Sequence, residues 1–211
     1  MPKASVQHPP YAAPMLAAFI DGMPEQPSAA LDPYLDAAAR CFARYGHSRT
    51  SVQDVANEMG YNRATVYKRV GTVEAMTQLL FAREVHRYLD TMGDRDWGVP
   101  GPDTVVEILA VTVEYIRAQP VVAKVLADEM DSTAGVLAKN LGWLRDHFLA
   151  GMTTPMTVGM ELGLLAKRDP TAVIEWIFRM LISLIVLPPV GDIRETLREL
   201  FIPALTPGGG A

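Results

Sequence analysis

Between residues 63 and 69 the chain reads Arg-Ala-Thr-Val-Tyr-Lys-Arg, placing three cations and two hydroxyls within seven positions. On a helix, Val66 and Val70 share one face four residues apart, which leaves Arg63, Ala64, Thr65, Lys68 and Arg69 toward solvent or a groove. These groups are hydrogen-bond donors and cations, suited to holding acceptor-rich, negatively charged surfaces. Taken singly, Arg63 or Lys68 is an ordinary solvated residue. Together they suit a helix laid in a nucleic-acid groove, with its N-terminal side chains at base edges and Tyr67, Lys68 and Arg69 on phosphates.

Other chemistry finds little support. The four histidines, His8, His47, His86 and His147, fit no H-E-x-x-H pattern, and neither a P-loop nor a G-x-S-x-G elbow is present. The single cysteine, Cys41, reads as a small buried hydrophobe on the first helix. It can make neither an internal disulfide nor a multi-cysteine metal site, so nothing ties the chain to an oxidising compartment. The expectation is no enzyme, no cofactor, no metal and a cytoplasmic address.

The donor-rich segment needs elements that hold it. Apolar spacings of three and four recur along the chain, with breakers between windows rather than within them, so the predicted fold class is all-α. Predicted helices run over 32–45, 51–59, 63–70, 73–91, 103–118, 120–129, 133–153, 156–167, 170–187 and 192–204. Asp32 with Pro33 and Asp169 with Pro170 read as a cap followed by a first helical residue. Gly46 stops the first helix, Thr50 or Ser51 caps the second, Gly60 supplies positive φ in the tight turn and Asn62 caps the third.

Phe42, Gly46, Thr50 to Ala56, Gly60, Thr65 to Tyr67 and Gly71-Thr72 resemble the N-terminal domain of the tetracycline-repressor (TetR) family over residues 35–80. The resemblance implies a three-helix helix-turn-helix domain joined to a larger helical ligand-binding and dimerisation domain. It also implies DNA contacts at Thr50, Gln53, Asn62, Arg63, Ala64, Thr65, Tyr67, Lys68 and Arg69. Val70 stands where a phenylalanine is usual in such proteins, and Val73 where a lysine commonly meets phosphate. With that charge absent, the backbone amides of Thr72 and Val73 could still bind phosphate at the start of the fourth helix.

The predicted organisation is a flexible extension (1–31), a DNA-binding domain (32–88) and a ligand-sensing and dimerisation domain (89–211). Helix 170–187 is too apolar to bury on one side only, so it needs cover from its own domain and from a second copy. The homodimer surface is expected at Trp176, Met180, Ile185, Ile193, Leu197, Leu200 and Phe201. A single-chain core helix is the alternative for this segment. Tyr115, Met130, Asn140, Trp143, His147, Phe148, Met152 and Met156 suit a mostly apolar effector pocket with a few orienting polar groups, although core packing explains each of them individually.

Composition fits a folded protein: 49% of the 211 residues are hydrophobic and 20% charged. The net charge of -5 conceals a division, because residues 32–88 hold eight basic and six acidic groups while 89–211 hold ten and sixteen. The acidic bulk lies away from the proposed reader and discourages non-specific phosphate binding. Glu175, Arg179 and Ser183 interrupt the longest apolar run, which argues against a membrane span. The resemblance therefore implies a repressor released from palindromic double-stranded DNA by a small-molecule effector. The competing reading is a helical ligand-binding or protein-interaction module without sequence-specific DNA binding.

Overall fold

The computed structural model describes residues 24–95, 97, 99, 101–128 and 130–208, with 130–140 described as backbone only. After a 3-10 turn at Ala29–Leu31 come α1 (Asp32–Tyr45), α2 (Val52–Met59), α3 (Arg63–Val70), α4 (Val73–Gly93) and α5 (Pro102–Ala118). They are followed by α6 (Pro120–Asp128), α7 (Met130–Glu161), α8 (Pro170–Val186) and α9 (Ile193–Leu205), and the described residues form no strand. Among the described residues, no helix is long and apolar enough to cross a membrane. Most of the predicted 1–31 extension, residues 1–23, lies outside the described residues, as do residues 209–211 of the C-terminal tail.

The chain divides into two compact units. The first contains α1 to α3, α4 through Asp90, and a returning segment, Arg117–Lys139, that brings α6 with it. Its extent therefore differs from 32–88, because α6 packs on α1 and Val121 joins the core of the N-terminal helices. Such a contact is set by tertiary packing and leaves no local mark on the sequence. Leu35, Phe42, Val55, Val66 and Met76 are essentially inaccessible at the centre of this core. Each contributes about 1.5–3 kcal/mol by leaving water. Cys41 is buried beside them, and burial pushes its thiol pKa up, consistent with a packing residue.

The second unit consists of Thr91–Ile116 and the chain from Asn140 onward. One face of α5 (Val106, Leu109, Val113) meets Met156 and Met160 of α7, Ile174 and Ile177 of α8, and Leu197 and Phe201 of α9. Arg194 of α9 also spans to Glu107 (2.9 Å) and Glu114 of α5. The paired carboxylates push the pKa of its guanidinium above the ordinary arginine value.

Three local expectations are corrected. Asp32 is the first residue of α1 rather than its cap; Leu31 takes the cap position without a side-chain bond, and the Asp32 carboxylate pairs instead with the buried Arg83 of α4 at 3.2 Å. Segments 133–153 and 156–167 form parts of one helix that continues through Pro155 and stops at Glu161. Pro155 removes one backbone donor, which a 32-residue helix tolerates when packing holds both sides. Gly163, at φ 70°, ends the segment where a helix to residue 167 was expected.

Candidate nucleic-acid interface

The α2–turn–α3 unit is fixed by caps at each end. Ser51 Oγ accepts from the Asp54 amide at 3.3 Å, and Asp54 Oδ2 accepts from the Ser51 amide at 2.8 Å, a reciprocal box that settles the cap on Ser51. The Ser51 hydroxyl, which donates to Asp54 Oδ2 at 2.6 Å, and then the Ser51 amide hold the Asp54 carboxyl pKa below its ordinary value. Thr50 is buried instead, donating its hydroxyl to the Gly46 carbonyl at 2.7 Å.

Gly60 closes α2 at φ 69°, ψ 25°, and a Cβ placed there would meet nothing within 4 Å. Glycine is required by the left-handed backbone rather than by lack of space. The Tyr61 amide donates back to the Ala56 carbonyl at 2.9 Å, and the Tyr61 ring lies 6.1 Å from that of Tyr34. Asn62 Oδ1 then accepts from the Thr65 amide at 2.8 Å and starts α3.

Val66 and Val70 anchor α3 in the core. Arg63, Ala64, Tyr67, Lys68 and Arg69 are exposed, and Thr65 is half-buried. On the same unit, Arg40 and Arg44 pair with Glu58, while Arg83 and Arg87 pair with Asp32 and Glu84. Arg63, Lys68 and Arg69 have no carboxylate partner among the described residues. The four arginines that tie these helices together are paired with carboxylates, and the cations on the outer face of α3 are not.

Elsewhere the predicted contacts have internal roles. Gln53 is exposed, but its amide donates to Asn57 Oδ1 at 2.8 Å. Thr72 Oγ1 accepts from the Ala75 amide at 3.2 Å, and Val73 packs against the domain core. Glu74 was missed by sequence reasoning. Its own amide, followed by the Thr72 side chain, holds its carboxyl pKa below the ordinary value, so an anion sits at the helix start proposed to receive phosphate. An acidic residue in a helix's first turn was the available signal. His47, at 2.9 Å from the Thr77 hydroxyl and 5.4 Å from the Phe42 ring, fastens the loop before α2 to α4.

A shallow hollow of about 280 Å³ beside the start of α2 is lined by Arg44, Tyr45, Arg49 and Asp54, none of which was predicted as an effector contact. In the second unit, Trp143 and His147 are 4.1 Å apart, ring to ring, and His147 Nδ1 donates to the Trp143 carbonyl at 2.9 Å. Phe148 packs on Phe178, Met152 is half-buried beside the same core, and Met156 is sealed inside it. Tyr115 on α5 is half-buried. The side chains of Met130 and Asn140 lie outside the described residues. Of the predicted dimer residues, Trp176, Met180, Ile185 and Ile193 are half-buried and Leu200 is exposed. Leu197 and Phe201 are fully enclosed by this chain's own core, with Trp176 stacked 4.5 Å from Phe201. They support such a surface from behind rather than form it.

The described residues are all-helical, and their capped α2–turn–α3 unit with an exposed basic outer helix has the arrangement of a helix-turn-helix DNA-binding domain. Residues 35–75 match the model of bacterial regulatory proteins of the tetR family. Two curated proteins from Mycobacterium tuberculosis strains, each described as an uncharacterized HTH-type transcriptional regulator, are 26% identical over 188 residues, covering 86% of this chain and 88% of each relative. Among solved structures, Salmonella enterica GusR matches with TM-score 0.64 at 20% identity over 86% of this chain and 97% of its own. The SmeT–triclosan complex matches with TM-score 0.61 at 19% identity over 87% and 95%, respectively. Over residues 35–75 the chain is similar to the tetR family of bacterial regulatory proteins, and along most of its length it shares the helical fold of these solved structures.

Proposed function

We propose that the protein is a cytoplasmic, homodimeric repressor that leaves a palindromic operator when a small, largely apolar effector binds its second unit. The observation that carries the DNA-binding half is the distribution of charge: Arg63, Lys68 and Arg69 stand exposed on one helix without carboxylate partners, while Arg40, Arg44, Arg83 and Arg87 of the same unit are paired with carboxylates and Arg49 bonds the Tyr45 carbonyl. Exposed cations on a rigidly capped helix bind phosphate and base acceptors with little reorganisation. The proposed contacts are these three with Gln53, Asn62, Ala64, Thr65 and Tyr67, supported by Thr50, Thr72 and the amide of Val73.

The dimer reading is supported by apolar surface at the end of α8, in the segment that follows it and on α9. Val186, Leu187, Val190 and Leu200 are all at least 41% exposed in the single chain, a costly arrangement unless a second copy covers them. Two copies place two reading helices on successive major-groove faces about 34–36 Å apart.

The effector reading rests on the aromatic and thioether groups around Trp143, His147, Phe148 and Met152, and on the fact that the structurally similar SmeT was solved with triclosan. A ligand shifts DNA binding only if its affinity differs between free and DNA-bound protein. Trp143 or Trp176 emission should therefore report binding of a small apolar compound that lowers operator affinity, and the operator should lower affinity for that compound by the same factor. Ligands that bind without changing operator affinity would remove the sensing role and leave DNA binding intact.

A further inference from the structure

We propose that Arg63 is a specificity-determining residue that reads one guanine in each half of the bound duplex, an assignment that rests on the DNA-binding reading above. Arg63 is the first residue of α3, the end from which helix-turn-helix proteins reach base edges. It is exposed and has no ion pair among the described residues. Its neighbours have less polar reach: the Asn62 carbonyl oxygen is committed to the Thr65 amide, Ala64 has no polar group, and Thr65 is half-buried. Gln53 on α2 is bonded to Asn57, and Arg69, the second guanidinium of α3, stands in its last turn, about 9 Å along the axis from Arg63 and away from the end that reaches base edges.

The remaining reader is therefore a planar fork of donors with no acceptor. In the major groove, guanine offers O6 and N7, two acceptors side by side, whereas adenine sets a donor beside its acceptor and opposes a guanidinium. Lys68 lies five residues further along α3, about 7.5 Å down the helix axis at 1.5 Å per residue, and carries a point charge suited to phosphate.

The test selects duplexes from a random library with the full-length protein, then titrates the selected sequence with each base pair replaced in turn. Wild type should lose about 5- to 150-fold in affinity when one G·C pair per half-site becomes A·T. Arg63→Ala should bind the two versions within about twofold of each other while discriminating normally at the other positions. Arg63→Lys, which retains the charge without the fork, should keep the salt dependence and lose most of the preference. Both variants should unfold at the wild-type temperature. A uniform loss across sequences, with the salt slope reduced by about one phosphate contact, would make Arg63 a backbone contact and overturn the assignment. So would a preference that vanishes with Lys68→Ala but survives Arg63→Ala. Wild type enriching no sequence would refute the DNA-reading function itself; enrichment without a G·C pair that depends on Arg63 refutes only the present inference.

Discussion

At the scale of single residues, the interface is governed by which charges are already satisfied. Tyr67 is 54% exposed on α3, and Glu74 places a carboxylate at the start of α4. If both approach the phosphate backbone, their removal has opposite signs. Tyr67→Ala should weaken binding to all duplexes by about 3- to 10-fold through the loss of one hydrogen bond, whereas Glu74→Gln should strengthen it by about 2- to 5-fold, most at low salt. Fluorescence anisotropy at several salt concentrations measures both. An unchanged Glu74→Gln affinity would place the start of α4 away from phosphate. Val73 shows why a substitution is best judged with its surroundings: its side chain serves the core, so any phosphate contact there falls to the backbone, next to an anion.

At the scale of elements, α3 can read DNA only if the turn before it holds a fixed geometry. Four devices meet there: the Ser51–Asp54 box, the left-handed Gly60, the Asn62 cap and the valine anchors. Gly60→Ala isolates one of them, since the added methyl meets no neighbour and only the positive φ is penalised. The substitution should cost about 1–2 kcal/mol in chemical denaturation. It should weaken specific DNA binding more than non-specific binding, because a shifted α3 keeps its charge but loses its register. Unchanged stability would show that the turn relaxes into a right-handed form. Arg83 works at the same scale: nearly inaccessible, it ties α4 to the first turns of α1 through Asp32 and Asp36, at 3.2 and 2.8 Å.

At the scale of the whole molecule, the dimer reading makes α8 decisive. Ile185 is half-buried against its own core and close in sequence to the exposed Val186 and Leu187. Ile185→Asp introduces a charge that a covering second copy would have to desolvate, at a cost of several kcal/mol. Sedimentation at micromolar concentration should show a dimer for wild type and a monomer of native helicity for the variant, with operator affinity lost in parallel because paired half-sites depend on linkage. A wild-type protein that is monomeric both free and on DNA would refute the dimer.

Much of this was legible in the sequence because it depends on local physics. Turn chemistry at Gly60, Ser51 and Asn62, together with the four-residue spacing of Val66 and Val70, is decided within a few residues and placed α3 correctly, with the same exposed cations. The family resemblance was carried by that same short segment, and the family model matches residues 35–75. Tertiary structure decided what depends on partners distant in the chain. Asp32 looked like a cap until Arg83, 51 residues away, claimed its carboxylate. Helix α6 joined the DNA-binding unit through α1, and Leu197 and Phe201 turned inward although their helix has an exposed apolar residue between them. Periodicity identifies the apolar stripe of a helix; only the packed chain decides whether that stripe is covered by its own domain or left for a second copy.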